Sequence, residues 1–298
     1  MQAILLAAGY GTRLRPYTDI RPKPLFPVVN RPLLHLLLDQ LHACGCGRIL
    51  VNCHHLAAQI EAALSAWPEV LIQYEPEILG TGGSLRKALN RMDNDPVLVM
   101  NGDLYHRIDL EQVYHRHLLS KNDVTLAMHD YPRFNTVGVA DGRVRGFAAQ
   151  EGERLAFTGI HVVDPEVIEM IPENRFHHII DLYRQLAGQG RVGYCRIDGA
   201  QWRDIGTPAD YLQLHGELLE NETKQWVIDP SARLGTGLVL EGWGCIGADA
   251  VIGDGAHLCC SVVWDGAELT AGSSYTDAIV TGNPEIDAGG CPPAEQRP

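Results

Sequence analysis

Between Leu6 and Leu25 the chain reads LAAGYGTRLRPYTDIRPKPL, a stretch that gathers groups able to bind phosphate. Thr12, Arg13, Arg15 and Lys23 lie between Pro16, Pro22 and Pro24, so backbone donors and a cluster of cations share one loop of restricted shape. Ala7, Ala8, Gly9 and Gly11 let another molecule come close to the backbone, and glycine takes positive φ there at little cost. The chemistry is a phosphate cradle, but not of a standard kind. A P-loop needs G-x-x-x-x-G-K-[ST], whereas Lys23 lies far past Gly11 and is followed by Pro24. The dinucleotide fingerprint needs a third glycine where Leu14 stands.

Two further segments carry candidate chemistry. Glu75-Pro-Glu-Ile-Leu-Gly-Thr-Gly-Gly83 reads as a glycine-rich turn into a helix, with Thr81 or Ser84 able to cap it. Asn101-Gly102-Asp103 follows an apolar run, and the pattern fits either a turn or a metal ligand. Mg²⁺ is a hard cation that takes one or two carboxylates together with substrate phosphates, so a phosphate loop calls for an aspartate such as Asp103 nearby.

These segments need strand ends to hold them. Gln2 to Leu6 reads as a strand, and Asn30 can cap a helix with Pro32 in its first turn and an apolar face of Leu33, Leu34, Leu37, Leu38 and Leu41. A strand over Arg48 to Cys53, a helix over about His55 to Ala66, a strand over Val70 to Tyr74, a short helix after Gly83 and a strand over Pro96 to Met100 follow. The alternation predicts an α/β fold, a doubly wound, mostly parallel sheet with helices on both faces. Ligands bind beyond the carboxyl ends of such strands, where Gly9, Tyr74 to Gly83, and Asn101 to Asp103 all fall. Val124 to Met128, Thr136 to Ala140, Val144 to Phe147 and Ala156 to Val163 read as strands covering the far side of the cleft.

The first stretch resembles, nearly residue for residue, the L-A-A-G-x-G-T-R-L-R-P-x-T…P-K-P-L signature of the sugar-1-phosphate nucleotidylyltransferases. That family has a Rossmann-like, GT-A-like domain. The resemblance implies that Leu6, Ala7, Ala8, Gly9, Gly11 and Thr12 bind the nucleotide and that Arg13 and Lys23 act on its phosphates. Residues 75–83 resemble the family's E-x-x-L-G-T-A/G-G segment; Thr81 and Gly82 would line the base pocket, Glu77 matches the acidic position, and Asn101 joins the nucleotide site. Asp103 takes the place of the metal-binding aspartate. Trp202-Arg-Asp-Ile-Gly-Thr-Pro208 resembles W-x-D-x-G-T-P, which makes Asp204 the second Mg²⁺ ligand, with Thr207 and Pro208 starting a separate helix to about Glu222. Gly138, Thr158 and Gly159 look like sugar-contacting positions. Many members carry E-K-P after the strand near Phe147, but this chain reads Ala148-Ala-Gln-Glu-Gly152, leaving Glu151 and Arg154 as substitutes. The implied substrates are an NTP and a sugar 1-phosphate. The texture is that of mannose- or heptose-1-phosphate guanylyltransferases, with glucose- or N-acetylmuramate-1-phosphate uridylyltransferases, or a non-catalytic NDP-sugar-binding regulatory subunit, as alternatives.

Composition sets the outer bounds. With 298 residues the chain suggests two domains. A net charge of −13 argues against nucleic-acid and anionic-membrane partners, which need basic faces. Absence of a charged leader and of long apolar runs predicts a cytoplasmic protein. Irregular spacing of the eight cysteines reads as buried thiols. Cys44, Cys46, Cys53 and His54 form a conceivable zinc set, although C-x-C is not a usual structural-zinc spacing. After Glu222 the texture changes: Ile228, Leu234, Leu240, Ile246, Ile252, Leu258 and Trp264 recur every six residues, the hexapeptide mark of a left-handed parallel β-helix. The expected organisation is 1–224 as catalytic domain, 225–281 as β-helix and 282–298 as a flexible tail. A homo-oligomer through the β-helix or a sheet edge is expected.

Overall fold

The computed structural model describes residues 1–148, 152–220, 222, 223 and 225–287. The chain forms two compact units. One comprises Met1–Tyr10, Pro22–Pro24 and Leu34–Trp202; the other comprises Gly11–Arg21, Leu25–Leu33 and the chain from Arg203 onward. The signature stretch therefore contributes to both.

The first unit is built on a nine-stranded sheet. Its strands are β1 (Gln2–Leu6), β2 (Arg48–Cys53), β3 (Leu71–Tyr74), β4 (Val97–Asn101), β5 (Val124–His129), β6 (Val137–Ala140), β7 (Arg143–Phe147), β8 (Glu153–Val163) and β9 (Val192–Arg196), in the order β3-β2-β1-β4-β8-β5-β9-β7-β6. Strands β1 to β4 are mutually parallel, as their intervening helices require. The sheet as a whole is mixed, which corrects the expectation of a mostly parallel one: β8 runs antiparallel to β4 and β5, and β7 antiparallel to β6 and β9. The strands expected to cover the cleft instead extend this sheet. Residues 141–142 alone join β6 to its antiparallel neighbour β7, and a connection that short cannot make a parallel crossover.

The register matters for function. Leu6 stands opposite both Asn52 and Asn101, so the carboxyl ends of β1, β2 and β4 lie at one level. Below it, Ile4, Leu50, Val97, Val99, Leu126 and Val163 belong to one fully buried apolar cluster. Burial of each such side chain contributes roughly 1.5–3 kcal/mol and holds the strand ends in place. The helix Leu33–Ala43 buries the predicted Leu33, Leu34, Leu37, Leu38 and Leu41 face.

In the second unit, strands stack in parallel at offsets of 18 and then 17 residues. Trp226 pairs Gly244, Val239 pairs His257, and Val262 pairs Ile279. Ile246, Ile252 and Leu258 are buried among Ala250, Ala256 and Ala267, as a six-residue period requires. Trp264 departs from that period. Two residues, Gly242 and Trp243, stand opposite Cys260 alone, so the register slips between Glu241 and Gly244, and Val263 becomes the partner of Ile246. Trp264 packs instead on Phe26 and Tyr17, with ring centroids 4.9 and 6.1 Å away and the Arg21 guanidinium carbon 4.5 Å above it. Arg21 also forks onto Asp265 at 2.6 and 2.9 Å.

Asn30 is not the expected helix cap. It has a positive φ of 62°, and its amide donates to the carbonyls of Val227 and Ile246 at 3.1 and 2.8 Å. Thr207 does cap: its hydroxyl accepts from Asp210 N–H at 3.1 Å, and the helix Pro208–Leu219 follows. From Gly282 to Asp287 the chain is tied down by the Asp287 carboxylate, which accepts from Thr281 and Gly282 N–H. Residues 288–298 lie outside the described residues.

Candidate active site

In the first unit the site begins where β1 ends. Gly102 N–H donates to Leu6 O at 2.7 Å, and a Cβ on Gly102 would come within 2.8 Å of that oxygen. Only glycine lets the β4 turn lie this close to β1, and the turn delivers Asp103. Lys23, 6% exposed, puts its Nζ 2.8 Å from Asp103 Oδ2. Asn101 lies beside Gly159: a Cβ there would meet Asn101 Nδ2 at 2.7 Å, and Gly159 has a φ of 79° inside the irregular β8 stretch between Phe157 and His161. Asn101, Asp103, Lys23 and Gly159 are thus brought together. At Gly9 a Cβ would meet nothing within 4 Å, so the backbone there is open to approach.

Other expected residues are spent differently. Ala7 N–H donates to Asn52 Oδ1 at 2.6 Å, and Ala7 and Ala8 are buried. Thr158 is buried, its hydroxyl donating to Ala127 O at 2.8 Å and its carbonyl accepting from Trp202 Nε1 at 2.9 Å. Gly138 is paired in the sheet with Gly146 and with Arg154. Glu151 lies outside the described residues, while Arg154 is exposed.

The helix Gly80–Ala88 starts before the predicted position, and neither Thr81 nor Ser84 caps it. Thr81 Oγ1 accepts from Ile179 N–H at 3.0 Å, and Ser84 Oγ donates to Gly80 O at 2.7 Å. Gly82 N–H donates to His177 O at 2.8 Å, and a Cβ on Gly80 would come within 2.7 Å of the same oxygen. The glycines of this segment therefore admit residues 175–178 against the helix start. Glu77 is exposed.

The motif's other carboxylate, Glu75, was not singled out in the sequence, yet it is fully buried. Its Oε1 accepts from Asn52 Nδ2 at 2.9 Å and Gln73 Nε2 at 3.1 Å. A polar Asn52 inside the apolar β2 run was the signal available.

In the second unit, Arg13 Nη2 lies 3.5 Å from Asp204 Oδ2. Gly206 completes the arrangement, since a Cβ there would fall 2.7 Å from Arg13 Nη1 and 2.9 Å from Asp204 Oδ2. Gly11, at φ 61°, turns the chain into the short helix of Thr12 to Leu14, where Thr12 and Arg13 are exposed.

The zinc set does not assemble. Cys44 and Cys46 have sulfurs 3.7 Å apart, while His54 bonds Glu75 O, and among the described residues no group of three or more His, Cys, Asp or Glu could hold a metal ion. Most cysteines are buried or half-buried, and burial pushes the Cys53 thiol up to about 11. No helix among the described residues is long and apolar enough to cross a membrane.

Lys23 beside Asp103 in the first unit and Arg13 beside Asp204 in the second each pair a cation of the signature stretch with a carboxylate, charges suited to phosphate chemistry. Comparison with known proteins agrees: the Nucleotidyl transferase family model matches residues 2–221. The mannose-1-phosphate guanylyltransferase of Mycobacterium tuberculosis is 29% identical, covering 91% of this chain and 82% of that protein. The D-glycero-alpha-D-manno-heptose 1-phosphate guanylyltransferase of Aneurinibacillus thermoaerophilus is 31% identical, covering 73% and 98%. Among solved structures, the UDP-glucose pyrophosphorylase from Acinetobacter baumanii superposes with a TM-score of 0.64 at 19% identity, covering 75% and 94%, which bears on the fold alone. The chain belongs to the nucleotidyl transferase family, the family of the sugar-1-phosphate nucleotidylyltransferases.

Proposed function

We propose that this protein transfers a nucleotidyl group from an NTP to a sugar 1-phosphate, releasing pyrophosphate, with GTP and mannose or heptose 1-phosphate as the preferred pair. The observation that carries the reading is the Lys23–Asp103 pair at the strand ends, a buried ammonium beside a half-buried carboxylate where a triphosphate would lie. In-line displacement at the α-phosphorus needs no covalent nucleophile from the protein, so the work of the chain is alignment and charge. Lys23 acts as a point charge on phosphate oxygens, and the planar fork of Arg13 suits two of them at once. Asn101 and the open backbone at Gly9 orient the nucleotide, and Gly159 lets the sugar approach.

Asp103 and Asp204 each offer carboxylate oxygens, the ligand type a hard divalent cation takes. In this reading both aspartates hold Mg²⁺, which when bound supplies charge neutralisation on the triphosphate and the leaving pyrophosphate. We further read 1–224 as the catalytic part and 225–281 as a left-handed parallel β-helix that carries an oligomer contact, in a cytoplasmic enzyme.

The test is a matrix of GTP, UTP, dTTP, ATP and CTP against mannose, heptose, glucose and N-acetylmuramate 1-phosphates, read as pyrophosphate release. GTP with mannose or heptose 1-phosphate should turn over fastest. A UTP pair winning would move the protein to the uridylyltransferases, and no turnover with any pair would overturn the enzymatic reading.

A further inference from the structure

Two hydrogen-bond paths in the first unit run from the glycine loop after β1 toward the helix Gly80–Ala88, and both reach Glu75, whose Oε2 accepts from Leu79 N–H at 3.4 Å just before that helix. The inner path is buried. Ala7 N–H donates to Asn52 Oδ1 at 2.6 Å, and Asn52 Nδ2 donates to Glu75 Oε1 at 2.9 Å and to Ser84 Oγ at 3.0 Å. Gln73 Nε2 donates to Glu75 Oε1 at 3.1 Å and to Ser84 O at 3.0 Å. The outer path is at the surface. His54 Nδ1 lies 2.7 Å from Glu75 O, which only a protonated nitrogen can satisfy, so Nε2 of the neutral ring accepts from Tyr10 Oη at 3.1 Å. Tyr10, 46% exposed, meets the His54 ring edge-on at 5.3 Å.

The residues of this network are distinct from Asp103, Lys23, Arg13 and Asp204, and a packed interior does not require them. A carboxylate and two carboxamides buried without a cation among the described residues are costly unless their donors and acceptors match. At Asn52 and Glu75 they do match: the carboxamide of Asn52 is oriented by one acceptor duty and two donor duties, and a flip would put its NH2 against Ala7 N–H and its oxygen against the Glu75 carboxylate, while Gln73 Oε1 has no hydrogen-bond partner among the described residues.

We propose that Asn52 and Glu75, with Tyr10 and His54 outside them, are positioning residues that clasp the glycine loop to the Gly80 helix start and so set the width of the nucleotide slot. This rests on the nucleotidyl-transfer reading and adds to it how the slot is built. A slot set this way acts on the nucleoside triphosphate and leaves the sugar phosphate untouched.

The experiment uses the reciprocal swap in the full chain. Asn52→Asp places two carboxylates together, and Glu75→Gln removes the acceptor charge. In the double variant a carboxylate at 52 accepts from Ala7 N–H while a carboxamide at 75 donates to it, which restores the bond between 52 and 75. Each single variant should raise the KM for the nucleoside triphosphate about tenfold, the size of one mismatched buried hydrogen bond. The KM for the sugar phosphate should stay within about twofold, and the double variant should recover most of the loss. Tyr10→Phe should raise the nucleotide KM about threefold, in keeping with a surface bond. Folded single variants with unchanged nucleotide KM would overturn the clasp. So would equal losses for both substrates without rescue in the double variant, or single variants too unstable to assay whose double does not refold. Wild-type protein that turns over no substrate pair overturns the functional reading, whereas an active wild type with indifferent variants overturns the clasp alone.

Discussion

Lys23 Nζ stands 2.8 Å from Asp103 Oδ2, joining a residue of the signature loop to a residue eighty positions later at the end of β4. Lys23 is buried and Asp103 keeps 37% of its side chain open, so the pair is asymmetric: the ammonium is fixed and the carboxylate faces outward. A fixed cation beside a reachable anion is the arrangement a metal-phosphate complex needs, because neither charge must be reorganised when the ligand arrives.

Asp103→Asn tests this directly. The amide oxygen can still accept from Lys23, so folding stability should fall by only about 1 kcal/mol. NDP-sugar synthesis should fall by about 10²–10³-fold, the scale of losing one preorganised charge. Lys23→Met should show a comparable loss of activity. Near-normal pyrophosphate release by Asp103→Asn protein would remove the metal and phosphate roles assigned to this pair.

Gly102 and Gly206 look alike in sequence, each beside a candidate aspartate, yet they should respond oppositely to alanine. At Gly102 the added carbon meets the Leu6 carbonyl at 2.8 Å, and backbone cannot give way cheaply, so Gly102→Ala should cost about 1–3 kcal/mol in urea denaturation. At Gly206 it meets the tips of Arg13 and Asp204, which can swing aside. Gly206→Ala should therefore keep its melting temperature within a few degrees and lose about tenfold in activity. Equal stability losses at both positions would contradict this account.

These two glycines also show how far the sequence was legible. Strand ends, the apolar helix face through Leu41 and the Thr207 cap follow from local periodicity and capping chemistry, and they appear where the pattern puts them. Glu75 and Glu77 were indistinguishable in sequence because burial of one and exposure of the other depends on Asn52, supplied by a different strand. The bond from the Thr158 hydroxyl to Ala127 O carries no local mark in sequence, because the carbonyl comes from a different strand. The mixed sheet was hidden for the same reason: strand direction is set by connection geometry and not by the strands' own composition. Trp264 kept the six-residue period on paper while a one-residue slip at Gly242 turned it outward.

That slip has a stability consequence. A Trp264 in regular register would be one of several interchangeable stack residues; packed on Phe26, Tyr17 and Arg21 it is the centre of an aromatic group, 1% exposed. Trp264→Ala should cost about 3–5 kcal/mol, whereas Leu234→Ala, at a period position 45% exposed, should stay within about 0.5 kcal/mol. Chemical denaturation of the two variants checks it, and similar costs would mean that the period, and not the aromatic group, governs this unit.

Acid stability depends on buried histidines. Burial lowers His161 from its ordinary 6.5 to about 3, and His106 and His215 to about 4. Below pH 6.5 the unfolded chain takes up protons at these rings while the folded chain does not, so the folded state loses ground as pH falls, by about 1.4 kcal/mol per ring per pH unit, until each folded value is passed. His161 is the informative case. Neither ring nitrogen has a hydrogen-bond partner among the described residues, and the ring sits between Phe157 and Tyr183, at 5.6 and 5.4 Å, where phenylalanine fits. His161→Phe should leave stability at pH 8 unchanged or higher and remove one proton from the slope of unfolding free energy against pH between about 6 and 4. Urea titrations at half-unit pH steps measure that slope, and an unaltered slope in the variant would mean that His161 is not neutral in the folded protein.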